Sequence, residues 1–287
     1  MRGDGPPGDP VRGAPRIMGV INVTPDSFSD GGRFLDPLRA LDRGMEMQDQ
    51  GAAILDVGGE STRPGSEPVE ARVELARVLP VVQLLAARAK VEISIDTTKS
   101  EVARAAIDAG ATIVNDVSAG RSDAEMLPLA ADRESTIVLM HLCGTPRDMQ
   151  QRPTYEDVLV EVRDFLKERA EAALRAGIAP NRIWIDPGIG FGKTLDHNLE
   201  LLARLDELGV LGYPVCLGVS RKSFIASVDE TAGTASGPPE SRVGGTAAAV
   251  ALGVLGGASI LRVHDVAIMA QAARVARAIA DRMPKDA

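Results

Sequence analysis

From Arg16 onward the chain repeats one pattern eight times. A short apolar, β-branched run ends in polar or glycine residues, a loop follows, and then comes a stretch with helical spacing of apolar residues. The runs cover 16–22, 52–59, 91–97, 112–118, 135–141, 182–188, 214–220 and 258–264. The helical stretches between and after them cover 38–50, 69–88, 100–109, 124–131, 155–177, 197–208, 242–255 and 266–282, with a shorter one after the seventh run. Continuous apolar runs suit parallel strands covered on both faces, and strict alternation with helices implies a parallel sheet. Eight units fit a closed (β/α)8 TIM barrel; an open doubly wound sheet is the competing arrangement, but it usually has fewer strands at this length.

The 287 residues match the size at which such a barrel is one domain, roughly 250 residues. Hydrophobic residues make up 45% of the chain and aromatics only 3%, so Val, Ile, Leu and Ala must fill the core, as barrel interiors require. Residues 1–15 hold Gly, Pro, Asp and Arg with almost no apolar content, and are expected to form a disordered tail before a catalytic domain at 16–284. A formal net charge of −8 argues against general affinity for nucleic acid or an anionic membrane, but leaves room for a local anion pocket. No apolar run approaches a membrane span, the N-terminus lacks the apolar core of a signal peptide, and Cys143 and Cys216 have no CxxC partner. These features point to a reduced, cytoplasmic protein.

The strand ends carry the chemistry. A strand buried on both faces should end apolar unless its last residue has a task. Here the ends read Asn22, Gly58 through Arg63, Asp96, Asn115 with Asp116, His141, Asp186, Ser220 with Arg221 and Lys222, and Arg262 with His264. In a barrel all of these open onto one mouth, where active sites of this fold lie. Asp96 and Asp186 can accept paired N–H bonds from a planar amino-pyrimidine edge, which Asn115 can both donate to and accept from. Asp56 lies deeper in its run, so a structural partner is the expectation for it, as for Asp116. Arg63, Lys222, Arg262 and His264 form a localised positive cluster. Each base alone could equally be a surface or ion-paired group, but Arg262 and His264 share a strand face at i, i+2, which favours a joint role.

Other motifs fall short. The glycine-rich GIGFGKT at 188–194 is one residue short of a P-loop and lacks the spacing of GxGxxG. His141, His197 and His264 have no zinc-site spacing, and no GxSxG elbow occurs. Any metal is expected to be Mg²⁺, held by one or two oxygen ligands and by substrate phosphate.

At these residues the chain resembles the dihydropteroate synthases. The long signatures MGVINVTPDSFSDGG at 18–32 and DVGGESTRPG at 56–65 carry the match, and SIDT, NDVS, DPGIGFGK, GVSRKSF and RVHDV follow in the family's order. The resemblance covers everything from about Arg16 to the last helix. One departure is Met140-His141-Leu142-Cys143-Gly144-Thr145-Pro146, where the family pattern has Met-Gln in place of Leu142-Cys143. The resemblance implies that a dihydropterin carrying a methyl diphosphate is joined to p-aminobenzoate in folate biosynthesis, at a sulfonamide-sensitive step. Carried over by position, it implies that Asn22 binds Mg²⁺ and that Asp96, Asn115, Asp186 and Lys222 hold the pterin, with Phe191 in the same substrate site. Asn22, Thr62, Arg262 and His264 would hold the diphosphate. Arg63, Pro64 and Ser223 would place p-aminobenzoate, with Phe28 and the first loop closing over it. Asp96, Lys222, Arg262 and His264 would form the catalytic set, with Asp96 or Asp26 assisting a cationic transition state. His141 receives no role. The family usually forms homodimers.

Three other readings compete. A Schiff-base aldolase could place a reactive lysine such as Lys222 at a barrel mouth. A pterin-binding methyltransferase module would want a corrinoid partner and no diphosphate site, against which Arg262, His264 and the TPDSFSDGG loop argue. A non-catalytic paralogue should have lost loop or anion residues, and none is missing.

Overall fold

A computed structural model describes residues 14–24, 36–62, 65–145, 147–149, 153–235 and 237–284. Among them run eight parallel strands: β1 Arg16–Asn22, β2 Ile54–Gly58, β3 Glu92–Asp96, β4 Ile113–Asp116, β5 Thr136–Met140, β6 Ile183–Asp186, β7 Cys216–Gly218 and β8 Ile260–Val263. The order is β6-β5-β4-β3-β2-β1-β8-β7. The ring closes between β6 and β7 through one bridge, Ile185 to Val215, where Ile185 N–H donates to Pro214 O at 3.0 Å. This seam is thin because β7 has only three residues and Pro214, just ahead of it, has no N–H to give. The barrel expected from the eightfold alternation is the observed architecture, and the open sheet is not.

Among the described residues nine α-helices cover the outside: α1 Pro37–Asp49, α2 Ala71–Arg88, α3 Ser100–Asp108, α4 Met126–Asp132, α5 Val158–Arg175, α6 Leu195–Ala203, α7 Ser223–Thr231, α8 Val243–Leu255 and α9 Val266–Ala280. Local signals set their ends. Asp36 caps α1 through Leu38 N at 2.9 Å, Asp157 caps α5 through two N–H groups, and Thr194 forms a capping box with His197 on α6. The Asp157 cap starts α5 three residues later than the apolar periodicity suggests. The helix expected at 197–208 is in fact α6 followed by a 3₁₀ turn at Leu205–Leu211.

The strand parity organises the barrel interior. Met18, Ile54, Ile113, Val138, Trp184, Cys216 and Ile260 form one buried cluster inside it. Because side chains alternate faces with period two, the next inward position on each strand is two residues further along. Those positions are Val20, Asp56, Asn115, Met140, Asp186, Gly218 and Arg262, with Asp96 reached in the same way from buried Ser94. The interior therefore changes from an apolar plug to a polar floor within one pleat. The outer faces of the strands pack with the helices in a larger apolar core that includes Ile21, Leu55, Val57, Ile95, Leu139 and Leu217.

Candidate active site

Arg262 is the hub of the floor. Its Nε donates to Asp56 Oδ2 and its Nη2 to Asp96 Oδ2, each at 2.6 Å. Asn115 Nδ2 donates to the same Asp56 oxygen at 3.1 Å, while Asp56 Oδ1 is buried without a partner among the described residues. Asp56 thus has the partners its depth in the strand demanded, and they are two of the candidate site residues. One guanidinium facing two buried carboxylates leaves the cluster short of positive charge. Burial accordingly pushes the Asp96 carboxyl up to about 7, with Arg262 opposing and Asp56 reinforcing the shift.

Asp186 and Lys222 form the opposite side. Asp186 Oδ1 accepts from Gly188 N–H at 2.7 Å. Its other oxygen lies 3.9 Å from where a Cβ on Gly218 would stand, with Lys222 Nζ at 3.6 Å and Arg262 Cβ at 3.9 Å, so the three side chains converge on the position that Gly218 leaves without a side chain. Burial raises the Asp186 pKa, against Lys222 and the Gly188 bond. The Lys222 ammonium donates to Ile189 O and stands 4.5 Å from the centre of the Phe191 ring. Burial lowers its pKa to about 8, with Asp186 resisting. Lys222 is aimed inward from a strained corner. Arg221 has φ +61, a left-handed conformation uncommon for residues other than glycine, and it is fixed by two bonds to Asp265 at 2.9 and 2.6 Å and by Arg242 donating to its carbonyl at 3.0 Å.

The rim lies above. Asn22 ends β1 half-buried, and its side chain has no hydrogen bond to a described residue. The His264 Nδ1 is 3.1 Å from Ser220 Oγ, and Arg43 donates to the His264 carbonyl at 3.1 Å. Thr62 is half-buried, and Ser223 is exposed at the first turn of α7. Asp26, Phe28, Arg63 and Pro64 lie outside the described residues. The structure thus brings Asp96, Asn115, Asp186, Lys222 and Arg262 around one floor, with Asn22, Thr62, Ser223 and His264 at strand or helix ends on the same side. Asp116 faces outward instead, its carboxylate accepting from Ser118 N, Ser118 Oγ and Gly120 N at 2.6–2.7 Å to close the turn after β4.

Two features were missed by reading strand ends alone. Lys193 is buried behind the glycine-rich loop, its Nζ 2.9 Å from His141 Nδ1. Lys99 links Glu74 of α2, at 2.6 Å, to Glu60, tying down the segment that leads to Thr62. The signal for both was present: a lysine next to a glycine-rich turn, and a glutamate on the core face of an amphipathic helix. Spacing alone could not say what they would meet.

The pterin binding enzyme family matches residues 18–264. The dihydropteroate synthase of Mycobacterium leprae is 49% identical over 262 residues, covering 91% of this chain and 92% of that one. The crystal structure of the Yersinia pestis dihydropteroate synthase with a sulfonamide drug superimposes with a TM-score of 0.87 at 40% identity, covering 93% of this chain and 95% of that one. The Xanthomonas albilineans dihydropteroate synthase with 4-aminobenzoic acid superimposes with a TM-score of 0.85 at 47% identity, covering 94% of each chain. The match spans every strand of the barrel and every residue of the polar floor, and on that basis the chain belongs to the pterin binding enzyme family and, within it, to the dihydropteroate synthases.

Proposed function

We propose that the polar floor binds a dihydropterin and that the rim holds its diphosphate, so that the chain joins (7,8-dihydropterin-6-yl)methyl diphosphate to p-aminobenzoate. The observation that carries this reading is the convergence of Asp186, Lys222 and Arg262 on Gly218, each within 3.6–3.9 Å of where its Cβ would stand. An aminopyrimidinone ring offers adjacent N–H donors that one carboxylate can accept in parallel, together with ring acceptors that an ammonium or amide can meet. Asp186 supplies the first kind of group, and Lys222 and Asn115 the second. Arg262 spends Nε and Nη2 on carboxylates and keeps Nη1 for an anion above. Phe191 would stack against the ring from the side of Lys222.

The reaction breaks the C–O bond between the pterin methylene and diphosphate, the electron pair leaving with diphosphate. The neutral arylamine nitrogen then forms the C–N bond and loses a proton to solvent. No activated nucleophile is required. Catalysis consists of stabilising the departing anion with His264, Arg262 and Lys222, and of holding the amine in line with the methylene. An ionised Asp96 beside the floor would favour positive charge developing on the pterin. Arg63, Pro64, Ser223 and Phe28 would place p-aminobenzoate, with its carboxylate near the N-terminus of α7.

The donor set suits Mg²⁺. An amide oxygen at Asn22 is a hard ligand of the kind Mg²⁺ uses when water and phosphate oxygens complete its shell, and among the described residues no group of three or more His, Cys, Asp or Glu side chains could hold a metal. Bound there, the ion would neutralise charge on the diphosphate. No helix among the described residues is long and apolar enough to cross a membrane, in keeping with a cytoplasmic enzyme. We also expect a homodimer, because Leu252 and Leu255 of α8 and Val275 and Ile279 of α9 are exposed.

Calorimetric titration with the pterin diphosphate and Mg²⁺ tests the site. The wild-type chain should bind one equivalent, and Asp186→Asn should weaken binding at least tenfold. Wild-type affinity in that variant would remove Asp186 from the pterin site.

A further inference from the structure

Lys193 is an expensive residue to keep. It is only 3% exposed, no carboxylate bonds to it, and burial lowers its pKa to about 7. Asp186 is near enough to favour its charge, but no described carboxylate hydrogen-bonds to it, so the donors of this buried ammonium must be satisfied locally. They are: Nζ reaches Gly188 O and Phe191 O at 3.0 Å each, and His141 Nδ1 at 2.9 Å. While Lys193 is protonated it can only donate, so in that state His141 Nδ1 accepts and the ring carries its proton on Nε2. Burial, with Lys193 and Arg121 nearby, holds this imidazole neutral, its pKa lowered to about 2. The ring packs edge-on to Phe165 with centroids 4.9 Å apart.

Two of the three contacts of Lys193 lie on the loop after β6, and the third lies just past the end of β5. Gly188, Gly190 and Gly192 turn this loop with φ values of +67°, +84° and +62°. A Cβ on Gly188 would stand 1.9 Å from the His141 carbonyl oxygen, so loop and β5 end are in backbone contact. The front of the same loop makes the pocket wall: Gly188 N–H holds Asp186, Ile189 O accepts from Lys222, and the Phe191 ring faces the Lys222 ammonium. Gly188 and Phe191 thus each meet Lys193 through their carbonyls and a candidate pterin residue through another group, with Ile189 between them bonded to Lys222.

We propose that Lys193 and His141 are positioning residues for the pterin pocket, setting Asp186 and Lys222 through the 188–192 loop between them. This rests on the pterin reading of the floor. Neither residue is among the side chains that converge on Gly218. Their effect should therefore fall on pterin affinity rather than on the second substrate.

The test uses the full chain with Lys193→Met, His141→Phe and the double substitution. KM for the pterin diphosphate and for p-aminobenzoate is measured separately, and pterin affinity by titration with Mg²⁺. Lys193→Met should raise the pterin KM and Kd at least tenfold, and His141→Phe at least threefold, with the p-aminobenzoate KM within twofold of wild type. The double variant should be within twofold of Lys193→Met alone, since both changes break one clasp. If Lys193→Met does not fold, His141→Phe decides, because it keeps an aromatic ring beside Phe165 and removes the nitrogen that Lys193 meets. A lowered melting temperature with unchanged pterin KM would mean a purely structural clasp and would overturn the proposal, as would equal losses for both substrates. Wild-type protein that neither binds the pterin nor turns over would instead refute the function reading itself.

Discussion

Replacing Arg262 with methionine would keep most of the side-chain volume and remove the cation shared by Asp56 and Asp96. Asp56 is fully buried, and its Oδ1 already lacks a partner, so the variant would leave it only the 3.1 Å bond from Asn115. Removing one member of a buried ion pair costs about 3–5 kcal/mol. At about 2–4 °C per kcal/mol for a chain this long, the melting temperature should fall by about 6–20 °C at pH 8. The pH dependence follows from the sign of the Asp96 shift. Its folded-state pKa is raised from 3.8 to about 7, so its contribution to stability is complete below 3.8 and lost as pH rises through 7. Without Arg262 the folded value climbs further, and the deficit should widen between pH 5.5 and pH 8. Asp56→Asn added to Arg262→Met should recover several degrees at pH 8 by discharging the stranded carboxylate. Thermal melts of the two variants and wild type at both pH values make the comparison. A loss below about 2 °C at pH 8, or the same loss at both pH values, would mean that Arg262 does not neutralise this cluster.

Lys222 and Asp96 should shape the pH profile of the free enzyme. kcat/KM for the pterin diphosphate should rise as Asp96 ionises near 7 and fall as Lys222 loses its proton above about 8, and Lys222→Met should abolish the alkaline limb. Gly188→Ala places a methyl group 1.9 Å from a backbone oxygen at φ +67 and should cost about 2–6 kcal/mol in urea unfolding, from overpacking and strain together. Gly218→Ala meets nothing closer than Lys222 Nζ at 3.6 Å; it should fold normally and weaken pterin binding at least tenfold, measured by titration. Asn22→Ala should raise the Mg²⁺ concentration for half-maximal rate about tenfold, read from a metal titration of activity after chelator treatment.

The barrel was legible because apolar runs such as ILDVG and IVND can be buried on both faces, and because a helix follows each. Strand ends were legible as a cluster because fold geometry sends them all to one mouth. What they could not show is parity. Asp56 looked separate because it sits inside its run, yet inward alternation puts it in the same layer as Arg262 and Asn115. Nor could spacing reveal that Arg262 reaches down to carboxylates as well as up to the rim, since β8 neighbours β1 and β7 and the contact to β3 crosses the barrel. The loop after β6 read as a failed phosphate motif. Its glycines instead serve close backbone approach, at Gly188 to His141 and at Gly192 to Cys143. His141 had no assignable role because its partner, Lys193, comes from a loop some fifty residues away in sequence.

The proposed reaction at this mouth joins a dihydropterin to p-aminobenzoate. It is tested most directly by incubating the purified chain with Mg²⁺, the pterin diphosphate and radiolabelled p-aminobenzoate, and separating the products. Labelled 7,8-dihydropteroate and diphosphate should form in equal amounts, with both reduced in parallel in Lys222→Met. Folded protein that binds the pterin yet forms no labelled product, or releases diphosphate without using p-aminobenzoate, would contradict it.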